Sequence, residues 1–313
     1  MKKVSFVVPV FNEQENMYEF YRRLTEVMAP LSYEYNLLFI DDGSTDRTEE
    51  YIRDLAAKDP RVEGYVFARN YGHQLALTCG LDQADGDAVI SMDGDLQHPP
   101  ELIPTLLQKW EEGHEIVQTV RLATQDAGWF KNFTSKMYYK LINALSEVRI
   151  TPGGSDFRLM DAMAVAALRR YRERARFIRG MVNTLGFRST TVEFVAPPRF
   201  AGHSKFSLRK MLHFALDGIM AFSSAPLRLA TYVGILSGLG SILLLFHVAY
   251  VKFIIQDAVP GWTTLAAAQF FLGGVELIGI GILGEYIGQI FNEVKHRPLY
   301  LVREHIVKTK VDK

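Results

Sequence analysis

Asp93 and Asp95 stand two residues apart around Gly94, at the end of the apolar run DAVISMD. In an extended chain alternate side chains lean to the same side, so the two carboxylates can converge, and glycine lets another backbone come close. Converging carboxylates repel one another unless a cation lies between them. Hard oxygen donors of this kind suit Mg²⁺ or Mn²⁺, ions that commonly bridge to substrate phosphates. Gln97 could add a carbonyl oxygen, whereas His98, followed by Pro99 and Pro100, reads better as a turn residue than as a ligand. Asp-x-Asp alone arises easily by chance, so its weight depends on what surrounds it.

The elements that position it are legible. VSFVVPVF, YNLLFID, VEGYVFA and DAVISMD are short β-rich runs, and helical patterns follow them from about Gln14, Asp46, Gln74 and Pro100. Near-continuous apolar strands separated by single helices predict an α/β fold, a doubly wound parallel sheet covered on both faces. Ligands of such sheets bind at the carboxyl ends of the strands. Polar clusters fall there: FNE (11–13), DDGSTD (41–46), RNYGHQ (69–74) and DGDLQH (93–98). Strand termination and helix capping would account for any one of them. They account poorly for four on one edge.

Composition divides the chain. Residues 1–225 carry nearly all the charge, whereas 229–251 contain no Asp, Glu, Lys or Arg, and a second apolar run covers about 263–288. Each is long enough to cross a hydrocarbon core of roughly 30 Å. The start, MKKVSFVVPVFNEQE, reads as a first strand rather than a signal peptide, because its apolar run is short and contains Pro9. Arg199, Lys205, Arg209, Lys210 and Arg228 precede the first span, and Lys295, Arg297 and Arg303 follow the second. The loop between them has only Lys252, so both ends are expected in the cytosol, at the inner membrane. Residues 205–228 set apolar positions among Arg209, Lys210 and His213, as an interfacial amphipathic helix would. Cys79 is the single cysteine, which excludes a disulfide framework, and it reads as a small buried helix residue. Zero net charge gives no nucleic-acid signal.

VVPVFNE, DDGSTD, RNYGHQ, MDGDLQHPP and GGSDFRLMD together resemble the family 2 glycosyltransferases of the GT-A fold. RFAGHSKF (199–206), two spans and the ending ILGEYIGQIFNEVKHRPLYLV are similar to the polyprenyl-phosphate branch, which includes bactoprenol glucosyltransferases and dolichol-phosphate mannose synthases. That resemblance implies a donor-nucleotide site at Pro9, Asn12, Glu13, Asp41, Asp42 and Asp93. It implies a Mg²⁺ or Mn²⁺ site at Asp93, Asp95 and Gln97, with Asp95 and Asp156 as catalytic residues. Arg121, Lys131 and Ser135 match positions that bind the lipid phosphate, and Arg199 and Lys205 lie in the basic loop before the membrane. Three roles are open to Asp156: base, orienter of the acceptor, or partner of Lys205.

The implied reaction moves a hexose, glucose first, from a UDP-sugar to undecaprenyl phosphate, giving a lipid-linked donor for cell-surface glycan such as O-antigen. A phosphate acceptor is already anionic near neutral pH, so it needs positioning more than deprotonation. Direct displacement by its oxygen would invert the anomeric centre. A GDP-mannose-dependent mannosyltransferase, an enzyme using UDP-N-acetylglucosamine and a catalytically inactive membrane scaffold are the alternatives. The expected division is a cytosolic transferase domain (1–204), an interfacial helix (205–228), two transmembrane helices (229–290) and a cytosolic tail (291–313).

GGVELIGIGILGEYIG (273–288) contains the dinucleotide spacing G-x-G-x-x-G at Gly279, Gly281 and Gly284. That fingerprint needs a strand before it, and these glycines lie inside a helix-length apolar run. Glu276 and Glu285 are nine residues apart, ~13 Å along a helix and on opposite sides. Because charge facing lipid is costly, each is expected to face protein or to be protonated: Glu285 beside a basic residue near the surface, Glu276 at a helix–helix contact. Gly234-x-x-x-Gly238 and Gly284-x-x-x-Gly288 would permit close helix contact, within the chain or in a homo-oligomer.

Overall fold

The computed structural model describes residues 1–122, 153–195, 197, 225–250, 253–254 and 261–308. The described residues fall into two compact units, one holding 1–122, 153–197 and 297–308, the other 225–296.

The first unit is built on an eight-stranded sheet. Its strands are β1 (Lys3–Val10), β2 (Glu34–Asp41), β3 (Val62–Phe67), β4 (Ala88–Ser91), β5 (Ile116–Arg121), β6 (Gly154–Asp161), β7 (Ser189–Phe194) and β8 (Val302–Ile306). They lie in the order β7-β5-β6-β4-β1-β2-β3-β8. At the centre β1 pairs in parallel with β2 and β4, and β2 with β3. Val4, Phe6, Val7 and Val8 of β1 are fully buried, the continuous apolar character required of a strand covered on both faces. The helix Met17–Met28 supplies part of that cover with Met17, Phe20, Leu24 and Met28, spaced three and four apart on one stripe. Each such buried side chain contributes about 1.5–3 kcal/mol of transfer free energy. Cys79 lies buried in the helix His73–Gln83, and burial pushes its thiol up to about 12, so it packs as a small apolar residue.

The sheet is mixed rather than wholly parallel. β6 runs antiparallel to both neighbours, β4 and β5, while β5 and β7 are parallel to each other. The strand–helix alternation that signals parallel crossovers ends at β5, and beyond it neither direction nor neighbour follows from local periodicity. Two reversals leave β5 pointing the same way as β4, so the end of β5 and the beginning of β6 share the edge where β1, β2, β3 and β4 end.

A second difference concerns residues 291–313, which the sequence sets apart as a tail. Val302–Ile306 is instead the edge strand β8, antiparallel to β3. Tyr300 stacks on Phe67 with ring centroids 5.2 Å apart and donates its hydroxyl to Asp82 at 2.8 Å. Arg53 forms a two-armed pair with Glu304. VREHI, three polar residues between two apolar ones, is too short and too polar to announce a strand.

The second unit contains two helices in contact, Ala225–Tyr250 and Trp262–Val294. Among the described residues one stretch, Phe271–Val294, is long and apolar enough to cross a membrane, and Ala230–Gly240 is a shorter apolar stretch. Gly279, Gly281 and Gly284 lie within the second helix, which excludes a dinucleotide loop there. Among the described residues, no protein surface encloses either of its acids. Glu276 and Glu285 are both exposed, and a Cβ added at Gly234, Gly238, Gly279, Gly281, Gly284 or Gly288 would meet nothing within 4 Å. A pair of helices covers too little of either surface to enclose every face.

Candidate functional site

The four polar clusters interlock at the carboxyl edge. Asn12, in the left-handed region at φ 54°, donates its backbone N–H to Ser44 Oγ (2.9 Å), and its Oδ1 accepts the Thr45 N–H (2.8 Å). The Glu13 N–H donates to Thr48 Oγ1 at 2.9 Å, and Glu13 Oε2 accepts from Asn16 Nδ2. Hydrogen bonds thus close the FNE loop onto DDGSTD. Gly43, at φ +71°, admits only glycine, since a Cβ there would lie 2.7 Å from the Arg69 carbonyl carbon. Pro9 is buried in β1, opposite Ile40.

Neighbouring Asp41 and Asp42 have different tasks. Both oxygens of Asp42 accept backbone N–H groups of the third cluster, from Tyr71 (2.6 Å) and Gly72 (2.8 Å). Asp41, fully buried, accepts the Ser44 N–H through Oδ1 (2.9 Å), while Oδ2 has no hydrogen-bond partner. Burial pushes both carboxyls up, against those N–H groups. Asp42 therefore joins loops, and Asp41 retains a buried acceptor that a ligand donor could satisfy.

At the end of β4, exposure alternates. Asp93, Asp95 and Gln97 are partly exposed, while Gly94, Leu96 and His98 are buried, so three oxygen-bearing side chains share the open side. Leu96 adopts φ 61°, a cost of order 1–3 kcal/mol for such a side chain. Its burial and the Gln97 N–H bond to Asp95 Oδ1 (3.1 Å) hold it. A Cβ on Gly94 would come within 2.9 Å of Val10 Cγ1, so this glycine is needed for packing on β1. His98 is more than a turn residue. Its Nδ1 accepts the Asp93 N–H (2.8 Å), which puts the ring proton on Nε2, facing Ser155 Oγ at 2.7 Å. The ring stacks on Phe157 and fastens the loop to β6.

Asp93 Oδ1 is buried without a hydrogen bond, 3.6 Å from His73 Nε2. That orphaned oxygen, with Asp95 and Gln97 on the same side, fits a hard divalent cation. Among the described residues no group of three His, Cys, Asp or Glu side chains could hold one. Two carboxylates plus ligand phosphates are the usual environment of Mg²⁺.

β6 brings a different carboxylate to the same edge. Ser91 Oγ donates to the Asp156 carbonyl (2.6 Å) and Thr119 Oγ1 to that of Phe157 (2.7 Å), locking its register. Phe157 and Leu159 enter the apolar core, so alternation puts Asp156 and Arg158 on the other face. Asp156 is 4% exposed and ringed by cations. Arg179, from the helix Ile178–Thr184, donates Nε to Oδ1 (3.0 Å) and Nη2 to Oδ2 (2.8 Å). Arg158 Nη2 reaches Oδ1 at 2.9 Å, and His73 Nε2 lies 3.5 Å from Oδ2. Burial favours the neutral acid, but Arg179, His73 and Arg158 outweigh it and hold the carboxyl well below the usual range. Such a group is a poor proton acceptor near neutral pH. Burial pulls Arg158 down to about 10, with Asp156 opposing. Burial also lowers His73, but Asp93 and Asp156 together push it up to about 9.

Arg121 ends β5 on this edge and is exposed; Lys131, Ser135, Arg199 and Lys205 lie outside the described residues. The sequence reading does not single out His73, Arg158 or Arg179 as site residues, and it underrates His98. His73 stands inside RNYGHQ, and Arg158 two residues from Asp156 in GGSDFRLMD, a spacing that places both on one strand face. Arg179 has no local signal.

Glycosyl transferase family 2 matches residues 5–169. The chain is 43% identical over 300 residues to an uncharacterized glycosyltransferase, YkcC, of Bacillus subtilis (strain 168), covering 96% of this chain and 93% of that protein. It is 42% identical over 301 residues to the bactoprenol glucosyl transferase of Shigella phage SfV, covering 96% of this chain and 98% of that one. Among solved structures, mannosyl-3-phosphoglycerate synthase from Rubrobacter xylanophilus aligns at 16% identity with a TM-score of 0.49, over 70% of this chain and 72% of that chain.

Proposed function

The chain belongs to glycosyl transferase family 2, with a GT-A type α/β fold and central mixed sheet, and from that premise we propose that it moves glucose from UDP-glucose to undecaprenyl phosphate. The observation that carries this reading is the pairing, at one sheet edge, of an under-neutralised carboxylate loop with a cation-rich cluster. Asp93 keeps a buried oxygen without a hydrogen bond, while two arginines engage Asp156 close by. A sugar nucleotide held with a divalent cation and an anionic acceptor match those two halves. The similarity to the phage enzyme named for bactoprenol and glucose supports the choice of lipid and sugar.

In this mechanism Asp41 offers its buried oxygen to the nucleoside, and the interlocked FNE and DDGSTD loops, with Asn12 and Glu13, enclose it. Asp93, Asp95 and Gln97 would hold Mg²⁺ or Mn²⁺, which supplies neutralising charge to the departing diphosphate. Arg121, Lys131, Ser135, Arg199 and Lys205 position the lipid phosphate. One of its oxygens attacks the anomeric carbon from the face opposite the nucleotide. The bond from that carbon to the diphosphate oxygen breaks, its electron pair leaves with UDP, and the configuration inverts. No proton need be removed, which suits an Asp156 that stays ionised.

The helices Ala225–Tyr250 and Trp262–Val294 are assigned as two membrane spans with both chain ends cytosolic, and the interfacial helix expected over 205–228 lies outside the described residues up to 224. The test is to incubate purified protein with Mg²⁺, undecaprenyl phosphate and a panel of labelled sugar nucleotides. UDP-glucose should give an inverted, lipid-linked glucose. A lipid product from GDP-mannose alone would replace the donor, and no product from any donor would overturn the reading.

A further inference from the structure

We propose that Arg179 is a binding residue for the phosphate of the acceptor, and that Asp156 is the positioning residue that aims its guanidinium. This deepens the proposed function and rests on it for the identity of the acceptor.

The first observation is shape. Asp156 engages the Nε and Nη2 donors of Arg179 in a fork, at 3.0 and 2.8 Å. A guanidinium carries five N–H donors in a rigid plane, so a carboxylate on one edge fixes where the other edge points. The pair also spans a gradient of exposure: the Asp156 side chain is 5% exposed, that of Arg179 37%. A buried anion thus holds the root of a cation whose planar group extends toward solvent. Bidentate recognition of phosphate is what an arginine held in this way does best.

The second observation is charge. Arg158, Arg179 and His73 surround Asp156, and Asp93 is the other anion in reach. Among the described residues, two arginines, one of them fully buried, thus converge on one carboxylate. Burying an arginine such as Arg158 is costly, and an anionic ligand on this edge would offset part of that cost.

The third is independent of Arg179. Arg158 is 1% exposed, yet its Nε and Nη1 make no hydrogen bond. Its charge, fixed beneath Asp156, is left to act on whatever occupies the edge above. If the cluster served only to tie β6 to the helix Ile178–Thr184, Asp156 and Arg179 would suffice. A second, fully buried arginine adds desolvation cost that such a tie does not explain.

The donor diphosphate offers similar chemistry, so the experiment separates the two phosphates. Acceptor binding is measured directly with farnesyl phosphate, a short soluble mimic, and with farnesol as the phosphate-free control. For R179Q the affinity for farnesyl phosphate should fall about tenfold or more, with farnesol unchanged and with UDP binding within about twofold of wild type. R179K, which keeps the charge but not the fork, should recover part of the loss. In turnover, the KM for undecaprenyl phosphate should rise while that for the donor holds. Unchanged farnesyl phosphate binding in both variants would overturn the proposal, as would a loss confined to UDP. If R179Q proves unfolded by its melting curve, R179K decides alone by the same criterion. Failure of the wild type to turn over any sugar nucleotide would remove the proposed function, while phosphate-dependent binding lost in R179Q would still support this site.

Discussion

Asp93, just beyond β4, and Asp156, on the adjacent β6, are the same chemical group at one sheet edge, and their surroundings differ in character. Asp93 keeps a buried oxygen without a hydrogen bond, beside a half-open loop. Asp156 is enclosed and engaged by two arginines, with a histidine at 3.5 Å. The first has a single histidine at 3.6 Å and an oxygen left without a hydrogen bond, and it suits a cation. The second has positive charge in excess and can only hold cations in place. What a carboxylate does in this enzyme is thus set by how many cationic donors its neighbours supply, which no motif containing a bare Asp records.

The contrast is broken most severely on the Asp93 side. Asp95→Ala, or chelation of divalent ions in the wild type, should reduce turnover about a thousandfold, with Mg²⁺ or Mn²⁺ restoring the chelated enzyme but not the variant. Wild-type rates without any divalent ion would refute the cation assignment. The melting curve of the variant should match that of wild type, because Asp95 is partly exposed.

On the other side the main effect should be on stability. Asp156→Ala leaves buried Arg158 without its carboxylate and should cost about 3 kcal/mol by denaturant unfolding. Because the folded-state pKa of Asp156 is depressed, its contribution is fully present above the unfolded value of about 3.9 and is lost as pH falls below it. The acid limb of the stability curve should therefore be shallower in the variant than in wild type. An equally steep limb would mean that Asp156 is not held as an ion.

His73 sits between the two carboxylates and sharpens the comparison. Its folded pKa of about 9 lies above the unfolded value of about 6.5, so its contribution is full below 6.5 and fades as pH rises through 9. In chelator, His73→Gln should be less stable than wild type at pH 6, and the gap should close by pH 10. A gap independent of pH would show that the ring acts by packing alone. The smallest effect belongs to the prop behind Asp93: Ser155→Ala removes the partner of His98 Nε2 and should cost about 1 kcal/mol with the divalent-ion requirement unchanged.

The sequence by itself determined the central strands, the four polar clusters at their ends and the Asp-x-Asp loop, together with the family they signal. Those features are written in short-range periodicity, and neighbours along the chain stay neighbours in a strand or helix. Tertiary structure alone decided the rest. The antiparallel course of β6 set Asp156 beside β4, and pairing across long separations has no local signature. Arg179 reaches Asp156 from 23 residues away and His73 from another strand end, so a ring of cations around one carboxylate could not be read from spacing. Residues 302–306, polar and brief, became an edge strand only because β3 had an unpaired side. The split between Asp41 and Asp42 had the same origin: adjacent residues point to opposite faces of a strand end, and only the folded chain brought backbone donors from Tyr71 and Gly72 to one of them.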